Sequence, residues 1–105
     1  MDTGLTDNEI ITRVIKGENQ LYAELVTRYQ GFVFTIALKY TPVREDAEEI
    51  AQDVFVKAYK ALKDFRGDSK FSTWLYSIVN STSITFLRKK KIDISSLDNE
   101  HVFEV

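Results

Sequence analysis

Between residues 45 and 62 the chain carries one amphipathic helical pattern, and this stretch limits the fold more than any other. Ile50, Ala51, Val54, Phe55, Ala58, Tyr59 and Leu62 recur every three or four positions, the spacing that gathers side chains on one face of an α-helix. Glu45, Asp46, Glu48 and Glu49 stand at its start and Lys57, Lys60 and Lys63 towards its end, the order that a helix dipole favours. Such a face has to be buried against other elements, and the flanking sequence supplies more helices.

Thr6 and Glu9 have the spacing of a capping box, and Ile10, Ile11, Val14 and Ile15 follow at helical intervals. A first helix is expected over residues 7–16, with Gly17 as the left-handed residue that ends it. Asn19 fits the N-cap of a longer helix whose inward stripe is Leu21, Leu25, Tyr29, Phe32, Val33, Ile36 and Tyr40, stopped by Pro42. Gly31 inside it costs about 1 kcal/mol relative to alanine and is expected to mark a bend or a close helix contact. Residues 64–69 are turn formers; a fourth helix resumes at Phe71, runs through Trp74, Leu75, Ile78 and Val79 towards Phe86 and Leu87, and closes in a basic run. Ser81, Thr82, Ser83 and Thr85 lower its helix propensity. No segment alternates with a period of two between hairpin turns, so no sheet is expected. The expected fold is all-α: a compact four-helix bundle over residues 1–91, with an extended or disordered, polar and acidic tail over 92–105.

A chain of 105 residues with 44% hydrophobic content can build one core without staples, and it has no cysteine for a disulfide or a thiolate metal site. No run approaches eighteen apolar residues, and Asp2, Asp7 and Glu9 occupy the place where a signal peptide carries positive charge. A cytoplasmic protein without membrane insertion is expected.

The net charge of −2 conceals three blocks: residues 1–56 sum to −5, residues 57–91 to +7 and residues 92–105 to −4. An enzymatic role finds no support, because the one histidine, His101, lies in the tail with no core to fix it. Asp46, Glu49 and Asp53 lack histidine partners, and the acids from Glu45 to Glu49 point in different directions around a helix, so neither a metal nor a cofactor is expected. Arg88, Lys89, Lys90 and Lys91 can either complement a helix dipole or bind phosphates. Lys57, Lys60, Lys63, Arg66 and Lys70 upstream favour the polyanion. Tyr59, Phe65, Phe71, Trp74, Tyr76 and Phe86 lie among these cations, and a ring beside a basic groove can stack on an unpaired base. Phe71 and Trp74, three apart, can equally fill the bundle.

The stretch from Asp46 to Leu62, continued by Asp64-Phe65-Arg66-Gly67-Asp68-Ser69-Lys70-Phe71-Ser72-Thr73-Trp74-Leu75-Tyr76-Ser77-Ile78, closely resembles the second region of extracytoplasmic-function sigma factors, and the weaker likeness extends over residues 7–91. The resemblance implies a domain that binds core RNA polymerase and recognises and melts the −10 promoter element. It implies that Asp46, Glu49, Gln52, Asp53, Phe55 and Val56 meet the clamp coiled coil of the polymerase beta-prime subunit. It implies further that Phe65, Arg66, Asp68, Ser69, Lys70, Phe71 and Trp74 capture a base flipped from the non-template strand, while Lys60, Lys63 and Arg88 to Lys91 hold phosphates. An anti-sigma factor is an implied partner. Ser81 stands where the family often has asparagine, with Asn80 one place earlier, and Thr85 stands where aspartate or asparagine is common. The base preference stays open, and Asn80 is an alternative DNA-facing residue after a small helix rotation. Residues 92–105 resemble only the start of the connection to a second helical domain, so one domain of a longer protein is expected. A protein-binding bundle that occupies polymerase or an anti-sigma factor without touching DNA is the competing reading.

Overall fold

The computed structural model describes the backbone of residues 2–104 and the side chains of residues 2–91. Four α-helices make up the fold: α1 (Asp7–Ile15), α2 (Tyr22–Tyr40), α3 (Arg44–Ala61) and α4 (Phe71–Glu104). Short 3-10 turns, Asn19–Leu21 and Leu62–Asp64, precede α2 and follow α3, and no strand occurs among the described residues.

The capping box forms at α1: the Glu9 backbone N–H donates to Thr6 Oγ1 at 3.1 Å and the Thr6 N–H donates to Glu9 Oε1 at 2.9 Å. That bond to the Thr6 backbone, ahead of the one to its side chain, holds the Glu9 carboxyl below the usual carboxylate range. Gly17, at φ 117°, turns the chain out of α1 while its N–H and that of Glu18 donate to the carbonyls of Val14 and Arg13. Asn19 opens the 3-10 turn instead of capping α2, whose first residue has no side-chain cap. Gly31 has nothing within 4 Å of where a Cβ would stand, so it marks no close helix contact.

Three residues join α2 to α3, which forces the two helices to run antiparallel. Tyr22 near the start of α2 donates to the carbonyl of Phe55 at 2.5 Å, and Arg44 at the start of α3 lies over the Phe34 ring near the end of α2, 5.7 Å from its centroid. α4 returns antiparallel to α3. Lys57 donates to Thr82 Oγ1 at 3.5 Å, and Lys90 pairs with Asp46 at the far end of the helix pair.

Ile10, Leu25, Val33, Ile50, Val54, Leu62, Leu75 and Val79 form the centre of the core, each fully or almost fully buried, and each contributes roughly 1.5–3 kcal/mol relative to exposure. Phe32, expected in the stripe of α2, is 37% exposed, and Tyr59, expected in that of α3, is 42% exposed.

A polar network fastens the N-terminal segment to α2. Arg28 pairs with Glu24, with Asp7 at 3.0 Å and with Asp2 at 3.5 Å, while the Thr3 N–H and hydroxyl donate to the buried Glu24 carboxylate at 3.0 and 2.9 Å. Tyr29 donates to Asp7; burial first, then this bond, pushes its phenol up to about 12.

Past Lys91 the backbone stays helical to Glu104, which corrects the extended or disordered tail expected there. The physical reason is an absence of breakers, since neither proline nor glycine occurs after Gly67. The side chains of residues 92–105, His101 among them, and the whole of Val105 lie outside the described residues.

Candidate functional site

The turn between α3 and α4 builds a cluster of rings. Leu62 is buried, and the carbonyl it presents accepts from the Phe65 N–H at 3.1 Å, so Phe65 is folded back towards the start of α4. Gly67, at φ 79°, supplies the reversal that a side chain would resist. Phe65 then meets Phe71 edge-on at 5.8 Å and Trp74 at 5.2 Å, and Phe71 and Trp74 lie 5.6 Å apart. Tyr29 of α2 packs on the other side of Phe71 at 5.2 Å.

Burial divides these rings by role. Phe71 is only 3% exposed, so it is the floor of the cluster and presents little of its face to solvent. Phe65 and Trp74 are half-buried and form its open surface, with Arg66, Asp68, Ser69 and Lys70 exposed beside them. Within the described residues no ion pair engages Arg66 or Lys70.

Along α4, Trp74, Ser81 and Arg88 are spaced by sevens and so lie on one side of the helix. Ser81 is exposed and donates to the carbonyl of Ile78 at 3.2 Å. Asn80 is half-buried, and its amide oxygen accepts from the Tyr40 hydroxyl at 2.6 Å. That bond ties Asn80 to α2.

The basic residues fall into two separate groups. From Phe71 to Arg88 the helix advances about 26 Å at 1.5 Å per residue, so residues 88–91 stand at the opposite end of the α3–α4 pair from the ring cluster. Lys90 is moreover engaged by Asp46, so the fold pairs a candidate phosphate contact with a candidate polymerase contact. Arg88, Lys89 and Lys91 are exposed.

On α3, Glu49, Gln52, Asp53 and Val56 are exposed, and Val56 keeps 53% of its surface open. Lys60 and Lys63 continue this outer side one and two turns later, and both are exposed. Phe55 is half-buried and Asp46 turns towards α4, which sets these two apart from the other four. Burial, with Tyr59 second, raises the Tyr22 phenol above its usual value. Among the described residues no group of three or more histidine, cysteine, aspartate or glutamate side chains can hold a metal ion. No helix among them is long and apolar enough to cross a membrane.

Besides Phe32 in the middle of α2, sequence periodicity misplaced two exposed apolar residues, Ile15 and Tyr59, because both fit the inward stripe of their helices. The signal that separates them is position: each stands near a helix end, where a neighbouring element no longer covers the stripe.

Comparison with known proteins gives this geometry its context. Residues 25–92 match the family described as Sigma-70 region 2. The chain is 38% identical over 106 residues to the ECF RNA polymerase sigma-E factor of Escherichia coli strain K12, covering 96% of this chain and 55% of that protein. It is 34% identical over 99 residues to the RNA polymerase sigma-H factor of Pseudomonas aeruginosa, covering 90% of this chain and 51% of that protein. The chain thus spans about half the length of these curated relatives. Among solved structures, an engineered region 2 of sigma-E, determined by NMR in complex with GTAAAA, superposes with a TM-score of 0.78 at 38% identity, covering 87% of this chain and 95% of that one. A match over most of the chain in family, relatives and backbone together places the protein: it belongs to the sigma-70 region 2 family, alongside the extracytoplasmic-function sigma factors.

Proposed function

We propose that the domain is the strand-holding part of a bacterial transcription initiation factor, which binds core RNA polymerase and recognises and melts the −10 promoter element. The observation that carries this reading is the open ring pair Phe65 and Trp74, 5.2 Å apart over buried Phe71, in a chain 38% identical to a region 2 solved with GTAAAA. A base stacked on such rings gains roughly 1–3 kcal/mol. Extracting it from the duplex costs a few kcal/mol, so phosphate contacts from Arg66, Lys70, Lys60 and Lys63 have to add to the stacking. Rings of this kind accept only an unstacked base. The domain therefore binds the non-template single strand more tightly than the duplex and shifts promoter DNA towards its melted form.

The domain supplies no bond-making groups of its own; polymerase performs the nucleotidyl transfer. The outer face of α3 fits the clamp coiled coil of the beta-prime subunit, with Val56 as an apolar anchor among Glu49, Gln52 and Asp53 facing a basic partner. An anti-sigma factor that covers this face blocks the same contact, and both partners put the protein in the cytoplasm.

The test is fluorescence anisotropy with single-stranded GTAAAA and with its duplex, for the wild type and for Phe65→Ala with Trp74→Ala. A parallel titration uses the clamp coiled coil and the triple variant Glu49→Ala, Gln52→Ala, Asp53→Ala. Preference for the single strand that the ring variant loses, with polymerase binding that the α3 variant loses, supports the reading. A folded chain that binds the coiled coil but neither form of DNA is instead a polymerase-occupying bundle.

A further inference from the structure

A second opening lies on the other flank of the α3–α4 turn and shares only Lys60 and Lys63 with the strand contacts described above. It is a groove of about 280 Å³ between the end of α1 and the end of α3, floored by buried Leu62 and walled by Ile15, Asn19, Tyr59, Lys60 and Lys63. Ile15 is 48% exposed and Tyr59 42%, so the fold leaves both apolar groups partly open to solvent. Tyr22 buttresses Tyr59 from one side, edge-on at 5.0 Å, and is itself held by its bond to the Phe55 carbonyl. The Tyr59 ring is thus fixed in place while much of it remains free.

The charge of the groove is one-sided. Lys60 and Lys63 line it, no acidic residue does, and no ion pair within the described residues engages either lysine. Two acids adjoin its rim in sequence: Glu18, which is taken by Arg13 at 2.8 Å, and Asp64, which follows Lys63 and is exposed outside the lining. An exposed ring, two unpaired cations and the Asn19 amide are the elements of a single-stranded nucleotide seat: a stacking face, phosphate contacts and an edge for hydrogen bonding. The volume lies below the roughly 300–1,000 Å³ of small-molecule pockets, which suits one planar group of a longer polymer better than an enclosed ligand.

Position links the groove to the ring cluster. Lys63 and Phe65 are two residues apart, so their Cα atoms lie within about 7 Å and one strand can reach both. Resting on the strand-holding reading above, we infer that this groove is a second nucleotide seat: Tyr59 stacks a further unpaired base of the same DNA strand while Lys60 and Lys63 hold its phosphates.

The test compares single-stranded GTAAAA with the same hexamer extended by three deoxythymidines at its 5′ end or at its 3′ end. The wild type is expected to bind one extended strand at least about five-fold more tightly than the hexamer, and Tyr59→Leu with Asn19→Ala to lose that gain while keeping its affinity for the hexamer. Leucine retains bulk against Tyr22, and circular dichroism checks that the helices persist. No gain from either extension, or a gain that survives the double variant, overturns the inference. Unchanged extension gains with weakened binding to the clamp coiled coil assign the groove to polymerase instead and also overturn it. Failure to bind the hexamer at all is a different result, which defeats the strand-holding reading itself.

Discussion

Two neighbouring regions of the bundle, joined where Tyr29 packs on Phe71, use charge in opposite ways. Around Arg28 every strong charge has a partner: Glu24, Asp7 and Asp2 surround one guanidinium, and Thr3 and Tyr29 supply the remaining donors. Around the 65–70 loop Arg66 and Lys70 have none among the described residues, and the rings of Phe65 and Trp74 are left half open. The first arrangement removes polar groups from water and compensates them internally; the second leaves charge and apolar surface available to something outside the chain. Groups that satisfy one another hold the fold, and groups left without partners mark the interface.

Substitutions can break this contrast. Arg28→Ala should have the largest effect, roughly 3 kcal/mol of stability lost, because it strands the 8%-exposed Glu24 carboxylate. Urea denaturation measures this, and affinity for single-stranded GTAAAA at low denaturant should hardly move. If affinity falls as far as stability does, the two regions are not separate in role.

Trp74→Ala should do the reverse, weakening strand binding by about 1–3 kcal/mol in anisotropy titrations with a smaller change in the denaturation midpoint. Next, Ser83 is fully buried in α4 and its hydroxyl has no hydrogen-bond partner. Ser83→Ala should therefore stabilise the domain by about 1 kcal/mol and leave binding untouched, and a destabilised variant would reveal a hidden partner.

Replacing Arg66 and Lys70 by glutamine should act through salt. Each lost phosphate contact lowers the slope of log affinity against log salt concentration by about 0.7 for a single strand. A slope that stays constant would remove both residues from the strand.

The smallest effect is alkaline. The raised Tyr29 phenol, at about 12, stays protonated in the fold where the unfolded chain ionises near 10. The unfolded state then binds fewer protons, so the Tyr29 contribution is complete below pH 10 and fades as pH rises towards 12. Tyr29→Phe should flatten that limb of the stability profile.

Much of this was legible in sequence, for reasons that differ by residue. The Thr6–Glu9 box and Gly17 are local devices, set by interactions within three or four residues, and periodicity could find them. The helical core positions Ile50, Val54, Leu75 and Val79 followed from spacing alone. What spacing does not carry is how far apart two helix ends stand. Residues 57–70 and 88–91 look like neighbours in charge, yet a helix of that length separates them. Nor does it carry which partner a polar group will choose, as with Asn80 on Tyr40 and Lys90 on Asp46, because those pairs span 40 and 44 positions. Phe71 and Trp74 share a helix face, and only tertiary packing decides that one is floor and the other surface.

The α3–α4 pair is shaped like a fork. Its closed end is the covalent turn under the ring cluster, and among the described ion pairs only Asp46 with Lys90 ties the tines together. At 41% side-chain exposure Lys90 is open to competing ions, so salt loosens this tie while leaving the handle intact. As the domain is warmed or its ionic surroundings change, loss of order should begin at the tips and reach Phe65, Phe71 and Trp74 last, keeping the ring cluster in register while the rest of the fork gives.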